Sequence, residues 1–292
     1  MADYVSPKEL LQEAVHLAKR KSELSIPDMI IRGALSGAFL SYATSLAFLV
    51  TAQGLPSIVG AILFPVGFVI LTLLGLELVT GNFALLPAGV MAGTVRVTKL
   101  LRNWTWVYLG NLIGSLLYAA LFYLAITNWR TNNGGAVADL FRQAAQKKTL
   151  AYAALGWSGL ALAFVRGVLC NWMVTIGAML ALVSRSTVGK IAAMWLPIMT
   201  FFALGFEHSV VNMYVLPSGM MLGAPIAMSH MLFWNLLPVT IGNLIAGAVF
   251  TGMALYVTYP TEPISIATLP AIPATASEQQ ATFAAAASTN RM

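Results

Sequence analysis

The chain has 292 residues, of which 59% are apolar and only 9% charged, with a mean hydropathy of +0.80. Soluble domains carry about 25% charged residues, so a water-soluble globule is excluded and a polytopic membrane protein is expected. The formal net charge of +6 is spread over short basic clusters between apolar runs, a pattern that reads as membrane topology and excludes a nucleic-acid-binding stripe.

Residues 1–26 open the chain as a charged, amphipathic stretch. Leu10, Leu11, Ala14, Val15, Leu17 and Ala18 form an apolar stripe ahead of Lys19, Arg20 and Lys21, which predicts a cytoplasmic helix lying at the membrane interface. No cleavable signal peptide is expected, because the first apolar run starts only near Ile26. A helix needs about 20 apolar residues to cross the hydrocarbon core. Six regions qualify, at 29–52, 58–95, 104–128, 151–184, 188–216 and 230–259, and the second and fifth are interrupted. They define a six-helix pore domain over 27–260. Beyond it, 261–292 is rich in Thr, Pro, Ala and Ser and predicts a disordered cytoplasmic tail. With the amino terminus inside, most Lys and Arg fall on the inner side. Arg130, Arg142, Lys147 and Lys148 are then the basic residues of the outer loops, so both termini are expected in the cytoplasm and the protein in the inner (plasma) membrane. A lone cysteine, Cys170, excludes an intrachain disulfide and reads as a small buried apolar residue. No zinc-type spacing occurs, so neither metal nor cofactor is expected.

The two interruptions repeat each other. Leu74-Gly75-Leu76-Glu77 matches Leu204-Gly205-Phe206-Glu207, and the register continues through Asn82 and Pro87 to Asn212 and Pro217. Arg32-Gly33 is echoed by Arg166-Gly167. Asn103 and Gly110-Asn111 are echoed by Asn235 and Gly242-Asn243. Each half holds three spans, an odd number, so the second half enters the membrane upside down. The expected fold is all-α, with six transmembrane helices in an inverted 3+3 repeat and helices 2 and 5 broken at mid-membrane.

Unpaired backbone in a broken helix is tolerated only next to protein or water, so both breaks should line a cavity. Half-helices restarting near Asn82 and Asn212 would point positive dipole ends into it, which favours an anion. A charge at bilayer depth costs at least about 2.5 kcal/mol, so Glu77 and Glu207 need a reason to be there. One reading makes each a clamp accepting hydrogen bonds from exposed backbone N–H groups. The other makes them an ion or proton site. Asn82 and Asn212 read as caps. The copies differ in that the first break carries Thr80 and the second His208. An imidazole can present a cation and donate a proton near neutral pH, against the alternative of a satisfied core histidine. Thr80 can donate to an anion, orient His208 or cap a turn. Phe64, Phe68, Phe201, Phe202 and Phe206 either narrow the approaches or are ordinary helix packing.

These segments resemble the formate/nitrite transporter family. The motifs are Glu77-Leu78-Val79-Thr80-Gly81, Arg102-Asn103-Trp104 with Gly110-Asn111, Arg166-Gly167-Val168-Leu169-Cys170-Asn171-Trp172, and Gly205-Phe206-Glu207-His208 continuing to Met213. The resemblance covers roughly 27–258. It implies an aquaporin-like protomer in a homopentamer, each protomer passing small monovalent anions such as formate, nitrite or hydrosulfide across the lipid bilayer. Thr80 and His208 would form the central site. Phe64, Phe68 and Phe201 would form one slit and Leu78, Val79 and Val174 the other, with Asn171 and Asn212 as polar pore contacts. Val79 departs from the Phe common in the formate branch. The family's basic residue in the outer vestibule has no clear match, although Lys147 and Lys148 lie nearby. Formate is the leading expectation, crossing as an ion or, with a proton from His208, as a transient neutral acid. A neutral-solute channel is the rival from another class, but neither half has an Asn-Pro-Ala motif. An enzyme is not expected, since Ser209 beside His208 is poorly placed as its catalytic partner.

Overall fold

In the computed structural model, which describes residues 3–259, regular structure is helical apart from an isolated β-bridge between Tyr4 and Ser184. The segment 261–292, expected as a tail, lies outside the described residues. Helix α1 (Pro7–Glu23) starts at a capping box in which Ser6 and Glu9 satisfy each other's amides, with Pro7 in the first turn. It buries Leu11, Ala14, Val15 and Ala18, while Leu10 and Leu17 are half-buried.

Four helices are long and apolar enough to cross a membrane: α2 (Ile26–Ala52), α6 (Val97–Ile126), α9 (Trp157–Val183) and α12 (Met228–Thr258). They pair closely through glycine. A Cβ on Gly114 of α6 would stand 1.8 Å from the Ala34 carbonyl of α2, and one on Gly242 of α12 would stand 2.3 Å from the Phe164 carbonyl of α9. Such close backbone approach is how apolar helices gain contact energy where lipid removes the hydrophobic drive. Helix α6 is α-helical throughout, whereas α12 widens to π-helix over Leu232–Leu236 and Ala246–Met253.

The remaining apolar sequence is cut into short helices. Helices α3 (Ser57–Leu63) and α4 (Val66–Leu73) meet at Phe64-Pro65, and after a non-helical stretch α5 (Val79–Met91) begins. In the second half α10 (Thr187–Ala203) stops, and α11 (Ser209–Met221) follows after the same length of non-helical chain. Both stops use one device. Gly75 and Gly205 take φ of +63° and +67°, where a Cβ would be strained, and the next residue's amide folds back onto the helix end. Leu76 N donates to Leu71 O at 2.9 Å and Phe206 N to Phe201 O at 3.1 Å, the closure of a glycine-terminated helix. The helices restart at Val79 and Ser209, three residues before the expected Asn82 and Asn212.

The segment between the third and fourth spans, expected as a loop, instead holds α7 (Gly135–Lys147), and the start of the span expected at 151–184 is a separate short helix, α8 (Leu150–Ala154). Helix α7 sits on α11 as α1 sits on α5. A Cβ on Gly219 would lie 2.4 Å from that of Ala145, and one on Gly89 would lie 2.9 Å from that of Ala18. The apolar stripe of α1 is therefore covered by protein.

Candidate functional site

Each break is held by a set of polar side chains that matches its counterpart residue for residue. At the first, Asn111 Oδ1 accepts from Val79 N at 3.0 Å, while its Nδ2 donates to Gly33 O and Glu77 O, both at 2.9 Å. At the second, Asn243 Oδ1 accepts from Ser209 N at 2.9 Å, and its Nδ2 donates to Gly167 O at 2.8 Å and Glu207 O at 3.0 Å. One carboxamide thus caps the new helix and ties the extended chain to the neighbouring span. This is why the restart comes three residues early.

The buried carboxylates are clamped from the side. Lys21 Nζ donates to Glu77 Oε1 at 2.7 Å, and Asn82 Nδ2 donates to Glu77 Oε2 at 2.8 Å and to Asn103 Oδ1 at 2.9 Å. Asn103 Nδ2 returns to Lys21 O at 3.0 Å, closing a ring. In the second half Lys148 reaches Glu207 Oε2 at 2.8 Å, and Asn212 Nδ2 reaches Glu207 Oε2 and Asn235 Oδ1 at 2.7 Å each. Asn235 Nδ2 then donates to Lys148 O at 2.9 Å. The expectation that the two Glu collect backbone N–H groups is corrected: their partners are Lys and Asn side chains, because Asn111 and Asn243 already take the first helical amides. Removing one member of such a buried pair strands a charge, at a cost of about 3–5 kcal/mol.

The second ring carries an addition. Tyr152 Oη donates to Glu207 Oε1 at 2.8 Å and accepts from Arg166 Nη1 at 2.9 Å.

Thr80 and His208 meet between the rings. Both are buried, and Thr80 Oγ1 lies 3.1 Å from His208 Nε2. His208 is the N-cap of α11, and its Nδ1 accepts from Val211 N at 3.2 Å. A nitrogen that accepts must carry a lone pair, so the ring proton sits on Nε2 and is offered to Thr80. The threonine hydroxyl proton is thereby left to donate elsewhere. The ring of His208 is flanked by Phe201, stacked with centroids 5.8 Å apart, and by Phe68, edge-on at the same distance.

A family model for formate/nitrite transporters matches residues 8–257. The chain belongs to the formate/nitrite transporter family. A probable formate transporter of Methanothermobacter thermautotrophicus is 32% identical over 280 residues, covering 89% of this chain and 99% of that protein. The formate channel FocA of Haemophilus influenzae is 31% identical over 260 residues, covering 82% and 88%. Among solved structures, one of an FNT family ion channel superposes with a TM-score of 0.75 at 27% identity, covering 86% of this chain and 99% of that one. A pentameric formate channel with formate bound gives 0.65 at 26% identity, covering 80% and 97%.

In this member of the family four of the five aromatic residues singled out from sequence, Phe64, Phe68, Phe201 and Phe202, converge. Phe64 lies 5.9 Å from Phe68, 5.7 Å from Phe201 and 3.9 Å, stacked, from Phe202, measured between ring centroids. Leu78, Val79 and Val174 are all buried in the same apolar core. Asn171 joins the halves: its Nδ2 donates to Thr80 O at 3.0 Å and to Asn243 O at 2.6 Å, leaving a buried Oδ1 without a protein donor. Asn212, expected as a pore contact, gives both amide donors to the Glu207 ring and keeps a buried Oδ1 without a protein donor. Sequence reading missed Lys21, Lys148, Tyr152 and Arg166 as members of these rings. The lysines had a signal, because they sit in nearly the register that relates the paired asparagines.

Proposed function

We propose that this protein carries small monovalent anions, formate foremost, through a pathway within each protomer, and that Thr80 and His208 form its central site. Six spans with the second and fifth broken, related as an inverted repeat, would bring the two breaks to the membrane midplane. Orientation with both termini in the cytoplasm puts α1 inside and α7 outside. The observation that carries the reading is the single hydrogen bond between Thr80 and His208, which joins a hydroxyl of the first break to the imidazole of the second. The amides of Thr80 and Gly81 belong to a helical first turn, whose N–H groups have no acceptor within the helix, and they add donors for an anion.

The resting imidazole is the neutral, Nε2-protonated form. Charging it would set a second N–H against the amide of Val211, so protonation sacrifices a helix cap and is favoured only when an anion stands at Thr80. Formic acid has a pKa near that of a carboxyl side chain, about 4, so a proton shared with formate in this dry site gives a transient neutral acid that crosses the aromatic constriction cheaply. Phe64, Phe68 and Phe201 act as one slit and Leu78, Val79 and Val174 as the other. Assembly as a homopentamer is supported by the pentameric formate channel that the chain resembles.

Flux of formate, nitrite and hydrosulfide into proteoliposomes, recorded with current across pH, tests this. Formate flux with little current and a matching proton uptake is expected. Formate flux unchanged in the double substitution Thr80→Ala and His208→Ala would sink the proposal.

A further inference from the structure

Two adjacent residues near the start of α6 hold the end of α1. Asn103 Nδ2 donates to Lys21 O at 3.0 Å, and Arg102 Nη2 donates to the carbonyl of Leu24, the C-cap, so two of the carbonyls that a helix end leaves open are answered. Asn103 is buried and spent in the Glu77 ring. Arg102 is not spent. It is half-buried, Leu24 takes one of its five donors, its Nε is buried without a partner, and among the described residues it forms no ion pair. Lys99, one turn earlier, and Arg96, the N-cap of α6, form none either. The acids flanking Leu24 are engaged elsewhere: Glu23 with Lys19 at 2.6 Å, and Asp28 with the Ser25 hydroxyl at 2.6 Å and Arg32 at 3.8 Å. Helix α6 has 30 residues, so it is about 45 Å long against about 30 Å of hydrocarbon core. With the surplus shared by its two ends, Arg102 stands where acyl chains meet headgroups. Leu109, Ile113 and Leu116 project from the same face of the helix, and all three are exposed.

We propose that Arg102 binds the phosphate of an anionic phospholipid in the leaflet on the α1 side, with the acyl chains along Leu109, Ile113 and Leu116. A guanidinium presents a planar fork that a phosphate diester meets at two points, and its weak hydration suits it to the edge of the hydrocarbon. Lys99 and Arg96 add charge that favours an acidic headgroup over a zwitterionic one. In the inverted repeat the place of Arg102 falls to Trp234, which carries no charge and packs against the Tyr152 cluster, so the α7 side has no copy of this site. A bound phosphate steadies the guanidinium that holds Leu24 O, and Lys21, three residues before that carbonyl, neutralises Glu77. Lipid occupancy is thereby coupled to the first break and not to the second. The site requires only that α6 be embedded in a bilayer, whatever passes through the protomer.

The test is thermal unfolding of the full chain in detergent, titrated with phosphatidylglycerol, phosphatidylcholine or inorganic phosphate, with sizing in parallel and hydrogen exchange at saturation. In wild-type protein phosphatidylglycerol should raise the melting temperature saturably at about 5- to 10-fold lower concentration than phosphatidylcholine, and inorganic phosphate should have no effect in that range. Exchange at residues 21–25 and 78–80 should slow, while that at 208–210 should not change. Arg102→Gln should need as much phosphatidylglycerol as phosphatidylcholine and should lose the added protection. A preference kept in Arg102→Gln, or equal affinity of wild-type protein for the two lipids, overturns the proposal. An equal shift from inorganic phosphate marks a free-anion site and also overturns it. If Arg102→Gln breaks the oligomer while the lipid preference stays, a second copy covers this face and the lipid site falls. Should Arg102→Gln not fold, the wild-type lipid preference and the restriction of protection to the first break decide, and the lack of either overturns the proposal.

Discussion

At the first break Val79 takes its cap from Asn111, and at the second Ser209 takes its cap from Asn243, yet only the second has an N-cap side chain that also accepts a helix amide. The shared parts hold chain in a shape it would not otherwise keep: extended backbone between half-helices, its carbonyls and amides satisfied by one asparagine, and a buried carboxylate neutralised by a lysine. The unshared parts are Thr80 and His208 at the meeting point, and Tyr152 on the α7 side, which bonds Arg166 where its counterpart Arg32 pairs with Asp28. A frame can be duplicated because its task is the same in both halves. Chemistry between the halves needs two different groups.

The largest expected effects test the shared frame. Asn111→Leu and Asn243→Leu each orphan one buried amide and one buried carbonyl of the extended chain, for a loss of about 2–6 kcal/mol. Thermal unfolding in detergent should place the two variants close together, and a wide gap would break the equivalence of the breaks. Lys21→Met strands Glu77 and should cost about 3–5 kcal/mol. Lys148→Met should cost less in the same assay, because Tyr152 still donates to Glu207. The reverse order would show that Tyr152 does not shield that carboxylate. Tyr152→Phe removes a hydrogen bond to a charged group and should cost about 1.5–3 kcal/mol, an effect without counterpart at the first break.

Much of this frame was legible as repetition. The Gly–Glu–Asn–Pro register located both breaks, and the echoed asparagines and glycines lie at the contacts that hold them. What stayed hidden depends on distance in space. Lys21 and Lys148 read as topology signals because nothing local says that a lysine at the end of an amphipathic helix reaches a carboxylate 56 or 59 positions onward. Helix α7 was passed over because its apolar face is short and its charges suggested a loop, although Ala145 against Gly219 repeats Ala18 against Gly89. The restart positions were misplaced because the capping oxygens come from other helices and not from the local Asn.

The smallest expected effect lies outside the spans. Asp3 is tied to the turn between α9 and α10. Its carboxyl is held below the usual carboxylate range by the amide of Ser186 and then by the hydroxyl of Ser184, with the amide of Arg185 adding to this. A depressed carboxyl pKa means the contact is present at neutral pH and is lost as pH falls below the ordinary value near 3.8. Asp3→Asn should mimic the acid state, and hydrogen exchange at Val5, whose amide donates to Val183 O, should quicken modestly while the spans keep their protection.

The most direct measurement of the central claim is a double-mutant cycle on formate flux with Thr80→Val, His208→Ala and the pair together, in folded protein of equal amount. If the two side chains act as one site, each single substitution should lower flux by roughly tenfold or more and the double should be little worse than either. Independent, multiplicative losses, or flux that survives both substitutions, would contradict it.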